Sequence, residues 1–293
     1  MKVSIVTDEI SSDLETALEI AADWGLKHVE LRGVGSQRVG SLEPYWEEHT
    51  YQTLRRAGVK VVALSPGIFK ILLPQSAAEE NTVLRWMEEA EYQAAARQRA
   101  LVEQHLRVIL PQTIKMAQRL EVPTIIVFGF VKPDDSNNPC PTAVIDYLRQ
   151  AAQQAERAGI TLALENEHIC WADTAAHTAQ IIEQVGSKAL RANWDPGNAA
   201  YANENPYPEG YRQIKQYLQH VHFKDVSADP RTGRKQCVLQ GEIDWHGQLR
   251  ALQSDGYQGF ISIETHCRPK IKSARQSLER IIGTLGPGIL GES

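Results

Sequence analysis

The chain has few cysteines and no long hydrophobic run. Its 293 residues include four cysteines, at positions 140, 170, 237 and 267, and no two of them form a C-x-x-C pair. This spacing excludes a disulfide framework and a zinc ribbon, and a reducing cytoplasmic location is expected. No stretch approaches the roughly 18 consecutive apolar residues that a membrane-spanning helix requires, so no membrane partner is expected.

Positive charge is also scarce. The chain has 31 Lys and Arg against 36 Asp and Glu, a formal net charge of −5. A protein that binds the phosphate backbone of nucleic acids needs a basic surface, so no nucleic-acid partner is expected. The apolar start of the chain ends at Asp8 and Glu9, too early for a signal peptide, which again favours the cytoplasm.

Short apolar segments alternate with helical patterns along the whole chain. The predicted strands are Lys2–Thr7, His28–Arg32, Lys60–Ser65, Thr124–Phe128, Thr161–Glu165, Leu190–Trp194, His220–Phe223 and Phe260–Ile263. Strand and helix alternation indicates a parallel sheet in an α/β protein. Eight repeats favour a (β/α)₈ TIM barrel, and residues 1–293 are predicted to form a single barrel domain.

Two insertions interrupt the repeat. After the third strand, Ser76 to Leu120 is almost wholly helical in character, and Pro111 is expected to break or kink it. This long insertion is interpreted as an extended barrel helix or two consecutive helices. The alternative is a lid or a contact between subunits of a homo-oligomer. Ser227 to Gln240 carries turn signals and is predicted to be a loop over the barrel top.

Side-chain alternation on the last four predicted strands points to a site. Alternate residues of a strand face opposite sides, and the apolar set of each strand leaves the other set to face the barrel interior. On all four strands the inward set ends in an ionisable residue at the C-terminal end: Glu165, Asp195, His222 and Glu264. Active sites of TIM barrels lie at this end.

A divalent cation would explain this set of residues. Three carboxylates packed together repel one another, and a cation removes that repulsion. Three carboxylates and one imidazole suit Mn²⁺, Mg²⁺ or Co²⁺ and could accept Zn²⁺. One metal ion per chain is therefore predicted, held by the four strand-end residues.

The motifs around these residues resemble the xylose isomerase-like TIM-barrel superfamily, in its sugar-phosphate isomerase and epimerase group. They are LALENEH at the fifth strand, NWDPGN at the sixth, HVHFKD at the seventh, and GEIDW followed by ISIETH at the eighth. The resemblance implies one metal, often Mn²⁺, on Glu165, Asp195, His222 and Glu264. It further implies that Glu165 and Glu264 transfer protons on opposite faces of a bound sugar.

Six further residues are candidates for binding the substrate. Many epimerases of the group have a histidine three residues after the sixth-strand aspartate, where this chain has Asn198. His168, Lys224, His266 and Arg268 lie near the ends of the fifth, seventh and eighth strands, and Glu242 lies in the loop motif Gly241-Glu242. Glu30 and Arg32 end the second strand and are expected to pair with each other.

The leading functional hypothesis is a metal-dependent isomerase or epimerase of a small carbohydrate. An inosose-type dehydratase would use the same metal and base, with the second acid protonating a leaving hydroxyl. A multi-zinc nuclease resembling endonuclease IV would need more histidines, and the third and fourth strands end in ALSPG and VFGF without one. An inactive binding scaffold is disfavoured by the intact set of four ligands.

Overall fold

Eight parallel strands close into a barrel in the computed structural model, which describes residues 1–73, 89–133 and 139–291. Each strand pairs with its neighbours in the chain, and the last pairs with the first. The predicted TIM barrel is confirmed. The strands are β1 (Lys2–Val6), β2 (His28–Leu31), β3 (Lys60–Ile68), β4 (Thr124–Phe128), β5 (Thr161–Glu165), β6 (Leu190–Trp194), β7 (Leu218–Phe223) and β8 (Phe260–Ile263).

Helices follow the strands and surround the barrel. They are α1 (Leu14–Asp23), α2 (Pro44–Ala57), α3 (Glu89–Gln104), α4 (Leu110–Arg119), α5 (Thr142–Arg157), α6 (Ala175–Val185), α7 (Pro196–Tyr201), α8 (Tyr211–Ile214), α9 (Trp245–Ser254) and α10 (Lys270–Leu285). Local sequence sets several of their ends. Thr174 caps the start of α6 by accepting a hydrogen bond from the backbone N–H of His177 at 3.1 Å. Gly186 ends α6 with a left-handed φ of 70°.

The described part of the predicted insertion is helical from Glu89 to Arg119. α3 passes through one π-helical turn at His105–Ile109 directly into α4. Pro111 lies in the first turn of α4, where the missing N–H of proline is tolerated, so the irregular turn lies just before it. Residues 76–88 of the predicted insertion lie outside the described residues, and its full extent stays a prediction.

The predicted loop between Ser227 and Gln240 is more regular than expected. Asp225–Ala228 pairs antiparallel with Lys235–Val238, so the segment forms a hairpin. The turn signals at Asp229 and Gly233 mark its tip. A backbone hydrogen bond joins Gly233 N to Asp229 O at 2.8 Å.

The alternation predicted for the strands is confirmed by the core. On β5, Leu162 and Leu164 belong to the large apolar layer between strands and helices. Ala163 faces inward and packs with Ala63 and Ile126 in a small interior cluster. Between this apolar cluster and the C-terminal ends of the strands, the barrel interior is lined by polar residues. The C-terminal ends can therefore form a polar site. Across the described ranges, no helix combines the length and apolarity needed to cross a membrane.

Candidate metal centre

The four predicted ligand residues converge at the C-terminal mouth of the barrel. Glu165 ends β5, Asp195 follows β6, His222 lies near the end of β7, and Glu264 follows β8. Each offers one ligand atom, and these atoms all lie within 4.8 Å of one another. All four residues are buried. Strand pairing places Glu165 opposite Asn193, two residues before Asp195, and His222 opposite Ser262, two residues before Glu264.

Lys224 and His222 lie among the three carboxylates. Lys224 Nζ is 2.5 Å from Asp195 Oδ2 and 3.6 Å from Glu264 Oε2. His222 Nδ1 is 3.5 Å from Glu165 Oε2 and 3.3 Å from Glu264 Oε2. Burial opposes charge on Lys224, but Asp195, Glu264 and Glu165 raise its pKa well above the ordinary value. The ammonium group therefore offsets part of the carboxylate repulsion.

The same arrangement shifts the pKa values of Glu264 and Asp195 in opposite directions. Burial acts to raise the pKa of Glu264, but His222 and Lys224 hold that pKa well below the ordinary value. At Asp195, burial dominates, and together with Glu165 and Glu264 it raises the pKa despite Lys224. Opposed environments within one small cluster are typical of sites that bind ions or transfer protons.

The donor set fits a divalent cation. Asp195 Oδ2 and Glu264 Oε2 are buried, and neither accepts a hydrogen bond of good geometry, although Lys224 lies close to both. Leaving buried acceptors without hydrogen bonds is costly, and coordination of a cation would remove that cost. Carboxylate oxygens and one imidazole nitrogen are ligands that Mn²⁺ and Mg²⁺ accept.

Amide side chains hold the carboxylates in place. Glu165 accepts hydrogen bonds from Asn193 Nδ2 at 3.0 Å and from Asn198 Nδ2 at 3.1 Å. Asn166 bonds to both backbone polar groups of Asp195 at 2.8 Å. Asp195 Oδ1 also accepts from the Asn198 backbone N–H at 3.0 Å and so caps α7. These contacts fix the ligand geometry before any ion binds.

A cavity of about 120 Å³ opens above the four residues. Glu165, His222, Lys224 and Glu264 line one side of it. The rest of the lining comes from the end of β4 and from residues that follow β2, β3 and β5, among them Arg32, Arg38, Lys70, Phe128 and Glu167. Such a polar pocket is suited to a small substrate with many oxygens.

Ion pairs fix the opposite side of the cavity. Arg32 pairs with Asp8 at 3.0 Å, with Glu9 at 2.9 Å, and with Glu264. Lys70 pairs with Glu167 and lies 4.8 Å from the centre of the Phe128 ring. Arg32 therefore links a carboxylate of the candidate metal centre to the loop after β1.

The predicted pair between Glu30 and Arg32 is wrong. Both side chains face inward, but they lie at different heights on β2 and just beyond it. Glu30 is completely buried inside the barrel and contacts His220 and His222. Arg32 lies at the mouth, where it reaches Glu264. Alternation predicts which side of the sheet a residue faces but not how far along the barrel axis its partner lies.

Three of the six candidate substrate-binding residues lie at the site. Lys224 and His266 line the cavity, and His266 Nε2 is 3.5 Å from Glu264 Oε1. Asn198 donates its amide hydrogen to Glu165, so it supports a ligand residue. Their contact with a substrate stays a prediction.

The other three candidates lie outside the residues that line the cavity. His168 stacks on Tyr201 with ring centres 4.8 Å apart. Glu242 pairs with Lys235 of the hairpin at 3.2 Å. Arg268 is exposed to solvent. Sequence reasoning missed Arg38 and Lys70, and it gave no role to Glu167. They follow strand ends, where the alternation rule no longer applies.

Comparison with known proteins agrees with this geometry. A family model described as the xylose isomerase-like TIM barrel matches residues 18–283. No curated protein matches the chain at a significant level. Solved structures do match across most of the chain, at identities that establish the fold alone.

Three of these structures illustrate the range. A D-tagatose 3-epimerase-like protein is 21% identical, with a TM-score of 0.68 and 97% of both chains covered. The probable 3-DHS dehydratase AsbF of Bacillus anthracis is 17% identical, with a TM-score of 0.68, covering 95% of this chain and 98% of that one. A xylose isomerase-like protein from Mycobacterium smegmatis, solved with magnesium, is 18% identical, with a TM-score of 0.67 and coverages of 94% and 89%.

Proposed function

Because the chain belongs to the xylose isomerase-like TIM-barrel family, we propose that it is a divalent-metal-dependent isomerase or epimerase of a small carbohydrate. The convergence of Glu165, Asp195, His222 and Glu264 carries this proposal, since their ligand atoms lie within 4.8 Å of one another under a polar cavity. Mn²⁺ is the preferred ion, with Mg²⁺, Co²⁺ and Zn²⁺ as alternatives. The structural similarity to sugar epimerases supports a carbohydrate substrate.

The proposed reaction is proton transfer next to a carbonyl. A bound divalent cation would polarise the substrate carbonyl and its neighbouring hydroxyl, which acidifies the C–H between them. Glu165 and Glu264 come from β5 and β8, on different sides of the mouth, so a sugar between them presents one face to each. One glutamate removes the proton, and the other returns a proton to the same or the neighbouring carbon.

The surrounding residues hold this pair in place and lower the pKa of Glu264. Lys224 and His222 hold Glu264 ionised at neutral pH, since they oppose burial and lower its pKa. Asn193 and Asn198 fix the orientation of Glu165 through neutral amide donors. Lys224 and His266 face the cavity and would donate hydrogen bonds to substrate hydroxyl or carbonyl oxygens. Orientation of this kind supplies much of the rate enhancement of enzymes.

A dehydratase acting on the same intermediate is the second candidate. It needs an acid that protonates the leaving hydroxyl, and Lys224 supplies a buried ammonium group 3.6 Å from Glu264. The structural similarity to a probable dehydratase supports this alternative. A screen of ketoses and inososes separates the two functions. Loss of water with a new absorbance from the conjugated product indicates the dehydratase, and a rearranged sugar of unchanged mass indicates the isomerase or epimerase.

The decisive test uses a responsive substrate and metal in heavy water. Wild-type protein is expected to place solvent deuterium on the carbon next to the carbonyl. Glu165→Gln and Glu264→Gln keep the side-chain shape but remove the base. Each is expected to lose roughly 10²–10⁴-fold in turnover together with the exchange. Glu48→Gln is the matched control, because Glu48 pairs with Arg119 on the surface and should change neither rate.

Two outcomes would change the proposal. Full activity in either Gln variant would show that the proton-transfer assignment is wrong. Turnover by wild type without deuterium at that carbon would point to a proton shielded from solvent or to a hydride shift.

A further inference from the structure

Below the candidate metal centre lies a second polar layer, enclosed by the barrel. Glu30 of β2 and His220 of β7 are its main members, and both are almost completely inaccessible to solvent. Three serines complete the layer: Ser4 of β1, Ser65 of β3 and Ser262 of β8. The proposed reaction uses none of these residues, so their presence in the barrel interior needs a separate explanation.

Glu30 is the centre of this layer. Its Oε2 lies 2.9 Å from His220 Nε2, and its Oε1 accepts a hydrogen bond from the Ser65 hydroxyl. Both carboxylate oxygens lie 3.2 Å from His222 Nε2. A carboxylate can only accept hydrogen bonds, so the Nε2 atoms of both histidines carry hydrogens. His222 Nδ1 then faces Glu165 and Glu264 on the other side of the ring.

This arrangement determines which nitrogen of His222 is available to an ion. With the hydrogen held on Nε2 by Glu30, the lone pair of the neutral ring is on Nδ1, the atom that points to the other three ligands. Metal-binding histidines commonly donate their second N–H to a carboxylate, which fixes the ring and increases its basicity. Here the carboxylate comes from β2 and reaches across the barrel interior to β7.

Stability alone does not account for such a layer. Desolvating buried ionic groups is expensive, and well-packed apolar residues of similar volume are often as stable or more stable. The barrel interior already has an apolar alternative, since Ala63, Ile126 and Ala163 fill it at another level. A carboxylate kept in contact with two imidazoles is better explained by what it does to His222.

We propose that Glu30 is a positioning residue that orients His222 so that Nδ1 is presented to the metal ion. This inference rests on the proposed function, because it assumes that His222 is a ligand. It adds the residue that fixes the direction of the ligand and makes metal affinity depend on a strand that contributes none of the four ligands.

The test measures binding of Mn²⁺ alone to the metal-free full-length chain, by calorimetry or competition with a chelating dye. Glu30→Gln should raise the dissociation constant by roughly 10–100-fold. Ser4→Ala is the matched control. It removes the buried hydrogen bond between Ser4 and Ser262 at 2.6 Å without touching Glu30 or His222, and its Mn²⁺ affinity should stay within about twofold of wild type.

A folded Glu30→Gln variant with wild-type Mn²⁺ affinity would overturn the inference and leave the proposed function intact. Failure of wild type to bind Mn²⁺, Mg²⁺, Co²⁺ or Zn²⁺ would instead refute the metal site itself.

If Glu30→Gln does not fold, imidazole resonances of ¹⁵N-labelled wild type loaded with Mg²⁺ or Zn²⁺ decide the matter. The inference requires a slowly exchanging hydrogen on His222 Nε2. A hydrogen on Nδ1, or a rapidly exchanging one on Nε2, contradicts it.

Discussion

On one side of the barrel mouth, β5 to β8 bring three carboxylates and an imidazole together, whereas the opposite side is lined by cationic groups from segments that follow β2 and β3. The first set lies at or just beyond strand ends, and its members are buried. Much of the second set lies just beyond strand ends, where Arg32 and Lys70 pair with carboxylates of the loops after β1, β5 and β8. Strand geometry thus positions the candidate ligands, whereas ion pairs position Arg32 and Lys70 on the opposite side.

The two sides differ most in how strongly water screens their charges. Lys224 among the ligands is 4% exposed, whereas the Lys70 side chain opposite is 41% exposed. Each pairs with a nearly buried carboxylate. Removing Lys224 leaves two buried carboxylates, Asp195 and Glu264, without their nearby ammonium group. Removing Lys70 leaves Glu167 with its remaining contact to His168 Nδ1 at 2.8 Å. Similar-looking ion pairs should therefore have different energetic weight on the two sides.

Replacing each lysine with methionine measures the difference in energetic weight between the two ion pairs. Lys224→Met should lower the free energy of unfolding of the metal-free protein by about 3–5 kcal/mol, because Asp195 and Glu264 lose their nearby cation. Lys70→Met should cost less than about 1 kcal/mol. Chemical denaturation of both variants gives the two values. Equal losses in unfolding free energy would show that the two ion pairs contribute equally to stability.

Adding metal should reduce the difference in unfolding free energy between Lys224→Met and Lys70→Met. A divalent cation supplies the positive charge that Lys224→Met lacks, so saturating Mn²⁺ should restore more stability to this variant than to Lys70→Met. The same titration with wild type gives the reference. A Lys224→Met variant that gains no more than wild type would show that the lysine does not offset the repulsion among the carboxylates.

Removing metal from wild type should have a smaller effect. The barrel is expected to stay folded without metal, since its apolar layers do not include the ligands. Metal at 100 times its dissociation constant adds about 2.7 kcal/mol. For a chain of this size that corresponds to roughly 4–5 °C in melting temperature. Scanning calorimetry with and without a chelator tests this, and no shift would mean that the site had been empty or neutralised by protons.

The smallest effects are expected outside the cavity. Glu242→Gln and Arg268→Gln change residues that sequence reasoning proposed for substrate binding but that the structure places away from the cavity lining. Their KM values for a responsive substrate should stay within about twofold of wild type, as surface changes usually do little. His266→Gln, on the cavity side, is the comparison variant. A large KM increase at Glu242 or Arg268 would require the cavity to extend over the hairpin.

The barrel and the convergence of its candidate ligands could be predicted from patterns along the chain. Alternation on β5 to β8, at the strand ends where TIM-barrel sites lie, identified Glu165 and Glu264. It could not identify Lys70, which follows β3 and reaches Glu167, because a chain leaving a strand has no fixed repeat. The partner of Glu30 was missed for another reason. Contact across the barrel interior depends on how far each strand is shifted along its neighbours, and the pairing of β2 with β3 slips between Val29 and Glu30.

The two contacts of Asp195 restrict which amino acids can replace it. One of its oxygens caps the six-residue α7, while the other faces Lys224 and the ligand cluster. Asparagine could keep the cap but would lose the charge, and glutamate would keep the charge but is a poor cap. Of the twenty amino acids, only aspartate has a side chain short enough to cap α7 that also carries a negative charge. Any library of substitutions that selects for both a folded α7 and a loaded centre should therefore recover the parent residue at position 195.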